Sequence, residues 1–245
     1  MNNLFDTYIL CGGQGTRLKK ISGDKPKPLV DINGTPLLDI IIRNLSAQPS
    51  VKRIALLAKY RPKDFQAHYK EKSFNGHAIE VLVQTSSKGT GGALLESRYH
   101  HETEHVAIMN GDTLIDFSFI NEVDQQDLSL GNIIFCAHVP NIKDYGSVEF
   151  DLDFKLTRFN EKKIDMKKQE GFVYSGVAIL SKRMLELLDY TSKDINFEKD
   201  IVSKNRSKFK VKIINSSFLD VGTPERFELA KNKNLNSKLA RQQIT

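Results

Sequence analysis

The chain has 245 residues, of which 40% are hydrophobic, and a net charge of +6, and none of its apolar runs approaches the roughly 20 residues of a membrane-spanning helix. Cys11 and Cys136, its two cysteines, are too few for a disulfide framework and lack metal-ligand spacing, so both read as small buried apolar side chains. The lysines are scattered rather than gathered into a stripe, which argues against nucleic acid as a partner, while the positive balance suits small anionic substrates.

Taken in chain order, Met1-Asn2-Asn3-Leu4-Phe5-Asp6 carries no basic segment and no apolar signal core, and a cytoplasmic location with no membrane partner is expected. Apolar runs predict strands over 7–10, 53–58, 79–84 and 106–110. Helical periodicity predicts helices between them over 36–47, 62–69 and 92–100. Alternation of this kind argues for a parallel sheet with helices on both faces. Further on, partial alternation predicts half-buried strands over 132–139, 147–150 and 155–159. A further strand is expected over 172–180, and helices over 181–188 and 224–231. No Pro/Gly/Ser-rich linker or composition break divides the chain, so 1–245 reads as one domain. The stretch 231–245 holds four basic and no acidic residues and is expected to fray.

The run Leu10-Cys11-Gly12-Gly13-Gln14-Gly15-Thr16-Arg17-Leu18 directly follows the first strand. Its glycines let the backbone turn tightly and approach a ligand, and successive N–H groups in such a turn form an anion-binding concavity. Arg17 adds a permanent charge with bidentate geometry for phosphate. The run is neither G-x-G-x-x-G nor a P-loop, because no third glycine and no Gly-Lys-Ser/Thr follow. Asp24-Lys25-Pro26-Lys27-Pro28-Leu29 comes next; its prolines predict a stiff, extended segment that presents Lys27 as a fixed charge.

Asp112 follows an apolar strand and Gly111, where a short carboxylate reaches the carboxyl end of a sheet, the usual place of phosphate sites in α/β folds. Asp220, between Phe218-Leu219 and Val221-Gly222, is a second candidate of this kind. Asp31 and Asp116 read as turn or cap residues. His101-Glu102-Thr103-Glu104-His105 satisfies H-E-x-x-H but straddles a helix end and a strand start, so it reads as a solvated loop rather than a zinc site.

G-G-x-G-T-R-L followed by K-P-K-P resembles the signature of the sugar-phosphate nucleotidyltransferases, and the resemblance runs from Tyr8 to about Ala230. It continues through Gly89-Thr90-Gly91-Gly92-Ala93, Asn110-Gly111-Asp112-Thr113 and Tyr145-Gly146-Ser147-Val148-Glu149. It ends with Asn160-Glu161-Lys162, Tyr174-Ser175-Gly176-Val177 and Asp220-Val221-Gly222-Thr223-Pro224-Glu225. The resemblance implies a single Rossmann-like α/β domain of three layers with a mixed, largely parallel central sheet. It places a nucleotide-binding half at about 1–115 and a sugar-phosphate-binding half at about 116–230.

The implied reaction joins a nucleoside triphosphate to a sugar 1-phosphate and releases pyrophosphate, with Mg²⁺ as cofactor. Arg17, Lys27 and Asp112 would be the catalytic residues, and Asp112 and Asp220 the metal ligands. Nucleotide would be held by Leu10, Cys11, Gly12, Gly13, Gly15, Thr16, Gly111, Gly89 and Thr90 as well as Arg17 and Lys27. Gln84 would read the base edge, with an exposed strand-end glutamine as the alternative. The sugar phosphate would meet Gly146, Glu161, Lys162, Ser175 and Gly176.

Within the family the resemblance points to the D-glycero-D-manno-heptose 1-phosphate guanylyltransferases of surface polysaccharide synthesis. Gln84 departs from the glutamate common in guanylyl enzymes, and Asn215-Ser216-Ser217 from the usual glycine-aromatic lead into the second aspartate. Mannose 1-phosphate guanylyltransferase and glucose 1-phosphate thymidylyl-, uridylyl- or cytidylyltransferase therefore stay open, as does a non-catalytic sugar-nucleotide sensor.

Overall fold

The structure, a computed structural model, describes residues 4–86, 89–129, 131–143, 145–160, 170–188 and 194–232. The first strands are β1 (Phe5–Leu10), β2 (Val51–Ala58), β3 (His77–Val83) and β4 (His105–Asn110). β1 lies parallel between β2 and β4, and β2 pairs in parallel with β3. These are the strands that the alternating apolar runs predicted, each longer than expected by one or two residues at its start.

The second half adds β5 (Thr113–Ile115), β6 (Asn132–Val139), β7 (Ser147–Phe150), β8 (Leu156–Asn160), β9 (Gly171–Ser181), β10 (Phe209–Ile213) and β11 (Phe218–Asp220). β9 runs antiparallel to β4 and joins the two halves into one mixed sheet, ten-stranded among the described residues when the short edge strand Ser73–Phe74 beside β3 is included. It also pairs antiparallel with β6 and β7, while β10 runs parallel to β6. β5 and β11 form a separate antiparallel pair beside the sheet. Three of these strands, β5, β10 and β11, were not expected from the sequence. β5 and β11 are three residues long, too short for a period to emerge, whereas β10 does alternate, as Phe209-Lys210-Val211-Lys212-Ile213.

Helices cover both faces, because successive strand residues point to opposite sides. Ile9, Leu56 and Met109 face one apolar cluster, which α1 (Leu37–Ser46) and α2 (Pro62–Tyr69) close through Leu38, Ile42 and Phe65. Tyr8, Leu57 and Ile108 face the other, closed by α3 (Gly89–Glu96) and α4 (Lys182–Leu187) through Leu94 and Leu185. A π-helical turn, Phe197–Ser203, packs Phe197 and Ile201 into this second cluster. α5 (Pro224–Asn232) returns to the first face through Phe227 and Ala230. The tail expected to fray from 231 thus begins inside a helix, and 233–245 lies outside the described residues.

Two local expectations are corrected. Lys27-Pro28-Leu29 is a 3-10 turn rather than extended chain. Only Pro26 and Val30, with ψ of 135° and 136°, are extended; Pro28 falls at the second position of the turn, where its missing N–H costs nothing. The H-E-x-x-H run is not simply solvated. Thr103 is buried; its Oγ1 accepts from Asp6 N and donates to His105 O, and Asp6 also accepts from Glu102 N. The run ties the start of β1 to that of β4, and its histidines do not share a helix face.

Candidate active site

The site is built on the adjacent ends of β1 and β4, where Leu10 and Asn110 are register partners. Gly111 N donates to Leu10 O at 3.1 Å. A Cβ at Gly111 would stand 2.9 Å from both that oxygen and Cys11 Sγ, so only glycine permits the close approach. Gly15, at φ 62°, occupies the left-handed region, and a Cβ there would meet Lys27 Cβ at 2.7 Å. The phosphate-loop candidate therefore packs directly on the Lys27 stem. The turn Thr16–Leu18 then sends Leu18 into the core and leaves Arg17 exposed.

Burial of the Lys27 stem aims its ammonium inward. Nζ lies 2.5 Å from Asp112 Oδ2 and 3.8 Å from Asp220 Oδ1. Asp220 reaches this point because β11 pairs with β5, placing Asp220 opposite Thr113, and Val221 N donates to Asp112 O at 2.8 Å. Gly222 leaves room for the carboxylate: a Cβ there would stand 2.8 Å from Asp220 Oδ1. The far oxygen, Oδ2, accepts from Arg226 Nη1 at 3.0 Å. Two carboxylates separated by 108 positions in the chain are thus gathered around one cation. Burial, and then the Asp112 carboxylate, push the Cys11 thiol far above the usual thiol range, so Cys11 contributes backbone and packing rather than a nucleophile.

Two cavities meet here. One, of about 210 Å³, is lined by Leu10, Cys11, Gly13, Gly15, Thr16, Arg17, Lys27, Pro28, Asp112 and Gly222. The other, of about 370 Å³, carries Gly146, Ser175 and Gly176 along with Tyr145, Asn196 and Glu198. Arg17 and Asp112 belong to both. The second cavity exists because β9 breaks its register between Tyr174 and Ala178. Gly176, at φ 86°, packs against Asn110 and Thr113 there. Ser175 contributes wall rather than hydroxyl, since its Oγ donates to Phe135 O at 2.9 Å.

Other expected positions are placed differently. Gln84 is buried rather than exposed and lines neither cavity. Its Nε2 donates to Ser97 Oγ and Leu82 O, each at 3.1 Å. Gly89 and Thr90, at the start of α3, were expected to hold nucleotide. Instead Gly91 N and Gly92 N donate to Ile195 O, and Thr90 Oγ1 accepts from Phe197 N. Gly89, at φ 72°, backs onto the same Ile195 carbonyl. This helix start is used to dock the π-helical turn of the second half. Gly12 lines neither cavity, and Glu161 and Lys162 lie outside the described residues.

Arg226, Tyr145, Gly222 and Asn110 were missed as site residues. The signal for Arg226 was present in Thr223-Pro224, a helix start that puts residue 226 in the first turn beside Asp220. The signal for Tyr145 was its place beside Gly146 in the Tyr145-Gly146-Ser147 run, but its partners, Phe218 and Arg226, are remote in sequence.

A D-glycero-alpha-D-manno-heptose 1-phosphate guanylyltransferase of Campylobacter jejuni is 31% identical over 222 residues, covering 89% of this chain and 94% of the relative. Its counterpart from Aneurinibacillus thermoaerophilus is 27% identical over 93% of this chain and 97% of its own length. Among solved structures, HddC from Yersinia pseudotuberculosis superposes with a TM-score of 0.83 at 32% identity, covering 94% of this chain and all of that one. The same protein has been solved complexed with GMP-PN, with a TM-score of 0.81 to this chain. The nucleotidyl transferase family profile matches residues 7–237. That match spans the phosphate-loop turn, both aspartates and β9 between them, and the chain belongs to the nucleotidyl transferase family.

Proposed function

We propose that this nucleotidyltransferase joins GTP to D-glycero-D-manno-heptose 1-phosphate, giving a nucleoside-diphosphate heptose and pyrophosphate. The observation that carries the reading is the meeting of two cavities at Arg17 and Asp112, above a pair of carboxylates held around a cation. The choice of sugar and base is supported by the heptose guanylyltransferases to which the chain is similar over nearly its whole length.

A sugar-phosphate oxygen attacks the α-phosphorus, the bond to the β-phosphate oxygen breaks, and pyrophosphate leaves. The attacking oxygen is already anionic, so positioning and charge neutralisation carry most of the work. In this reading the amides of the Gly13–Gly15 turn and the Arg17 and Lys27 side chains hold the triphosphate in the smaller cavity. Arg17, which borders both cavities, offsets the repulsion between the two phosphates as they approach. Gly146 and the Ser175-Gly176 backbone shape the sugar side, and Glu161 and Lys162 are proposed from sequence to bind the sugar phosphate.

Asp112 and Asp220 fit Mg²⁺. A hard cation that keeps phosphate and water oxygens needs only one or two protein carboxylates. The Lys27 ammonium between the same two carboxylates shows that the spot accepts positive charge. When bound there, Mg²⁺ would neutralise phosphate charge.

Pyrophosphate release tests the reading, with GTP, CTP, UTP, dTTP and ATP crossed against heptose, mannose and glucose 1-phosphates. GTP with the heptose phosphate is expected to be fastest. A faster pyrimidine nucleotide would reassign the base. Nucleotide binding with no release across the panel would replace catalysis by sensing.

A further inference from the structure

Arg226 stands between the two halves of the site. Its Nη1 donates to Asp220 Oδ2 at 3.0 Å, and its guanidinium lies over the Tyr145 ring, 4.6 Å from the centroid. Tyr145 in turn meets Phe218 edge-on at 5.6 Å, and both rings line the larger cavity. The Arg226 side chain is only 13% exposed, so these contacts fix it in one place. A planar guanidinium can donate in its plane and stack on its face at once; an ammonium cannot do both with the same geometry.

We infer that Arg226 is a positioning residue for the reaction, holding Asp220 by one oxygen and the Tyr145 wall of the sugar cavity by its face. Occupying Oδ2 leaves Oδ1, the oxygen nearer Lys27, as the one Asp220 presents to the site. The bond to Oδ2 orients the carboxylate with Oδ1 towards the site, and that orientation is linked to the side chain that borders the sugar. The inference rests on the reading of Asp220 as a metal ligand and of the larger cavity as the sugar site.

That link separates two kinetic effects. Arg226→Met releases both ends, so kcat should fall about tenfold or more and KM for the sugar phosphate should rise about tenfold, with KM for GTP little changed. Arg226→Lys restores the charge beside Asp220 but not the stacked plane. It should recover most of kcat and leave the KM for sugar phosphate raised. Tyr145→Leu should reproduce the KM rise with a smaller loss of kcat. Combined with Arg226→Met it should add little further, because both act on one contact.

The experiment is steady-state pyrophosphate release for these variants and Asp220→Asn, with GTP and heptose 1-phosphate. Thermal melts and metal-free calorimetry of heptose 1-phosphate binding accompany it. Weaker calorimetric binding by Arg226→Met and Tyr145→Leu, with melting temperatures kept in Arg226→Lys, is the expected result. Arg226→Met with wild-type kcat, KM and binding, alongside an inactive Asp220→Asn, would overturn the positioning role and leave the site reading standing. A fully active Asp220→Asn would remove that site reading and the positioning role with it.

Discussion

The Lys27 ammonium lies 2.5 Å from Asp112 Oδ2, closer than to any other carboxylate of the site, with Asp220 Oδ1 at 3.8 Å. A protein cation thus stands between the two carboxylates proposed to hold Mg²⁺. Triphosphate in the adjacent cavity would compete with the carboxylates for this ammonium. Nucleotide and metal should then enter together, each relieving a charge that the other leaves exposed.

Lys27→Met tests this coupling. Removing the resident cation should tighten Mn²⁺ binding to nucleotide-free protein by about tenfold, because two carboxylates are left facing one another. Turnover should fall by about a hundredfold or more, since a charge aimed at the leaving phosphates is lost. Calorimetric Mn²⁺ titration reads the first effect. Equal affinity in the variant and the parent would show that Lys27 does not compete with the metal.

Asp112→Asn and Asp220→Asn should each lose most turnover while keeping the fold. Each neutral amide is a poorer ligand for a hard cation than a carboxylate. Both side chains sit at the rim of the core, so far-ultraviolet circular dichroism should be unchanged. Near-normal kcat in either variant would remove that residue from the metal assignment.

Gly15→Ala should abolish nucleotide binding with only modest loss of stability. An alanine at φ 62° is strained, and its Cβ would stand 2.7 Å from Lys27 Cβ. Either the turn opens or the Lys27 stem moves, and the phosphate cradle is spoiled in both cases. GTP binding by calorimetry checks it; an unchanged affinity would show that the turn tolerates a side chain at position 15.

Stability should fall as pH drops below about 6.5. Burial holds the His105 imidazole below its ordinary range, against smaller upward pulls from a hydrogen bond with the Leu128 backbone and from the Glu104 charge. The unfolded chain therefore takes up a proton at His105 before the folded protein does. This contribution is complete above the unfolded pKa and is lost as pH falls through the folded one. Urea denaturation at pH 7.5 and 5.0 should show a smaller loss for His105→Gln than for the parent; identical losses would exclude His105 as a source.

Residues close together in the chain carried most of what was legible in advance. Ile9, Leu56 and Met109 alternate with Tyr8, Leu57 and Ile108 within single strands, and period-2 burial needs no knowledge of what lies opposite. The same holds for the glycine turn at Gly12–Gly15, whose chemistry is a property of consecutive backbone amides. Asp112 and Asp220 stood out one at a time, each by its place after an apolar run.

Their meeting was a tertiary matter. It depends on a three-residue pairing of β5 with β11, too short to leave a pattern, and on a Lys27 side chain threaded between them. Gln84 shows the limit from the other side: its position at the end of β3 was legible, but not that Ser97 on the neighbouring connection would take its amide. The start of α3 likewise spends its amides on Ile195, more than 100 positions away. Arg226, with Asp220 in its plane and Tyr145 beneath its face, belongs to the same class. Local periodicity and turn chemistry determine the layers and the phosphate-binding turn, because they act over a few residues. Which side chains share a charge is decided only when distant segments close, since Coulomb and stacking interactions depend on separation in space and not along the chain.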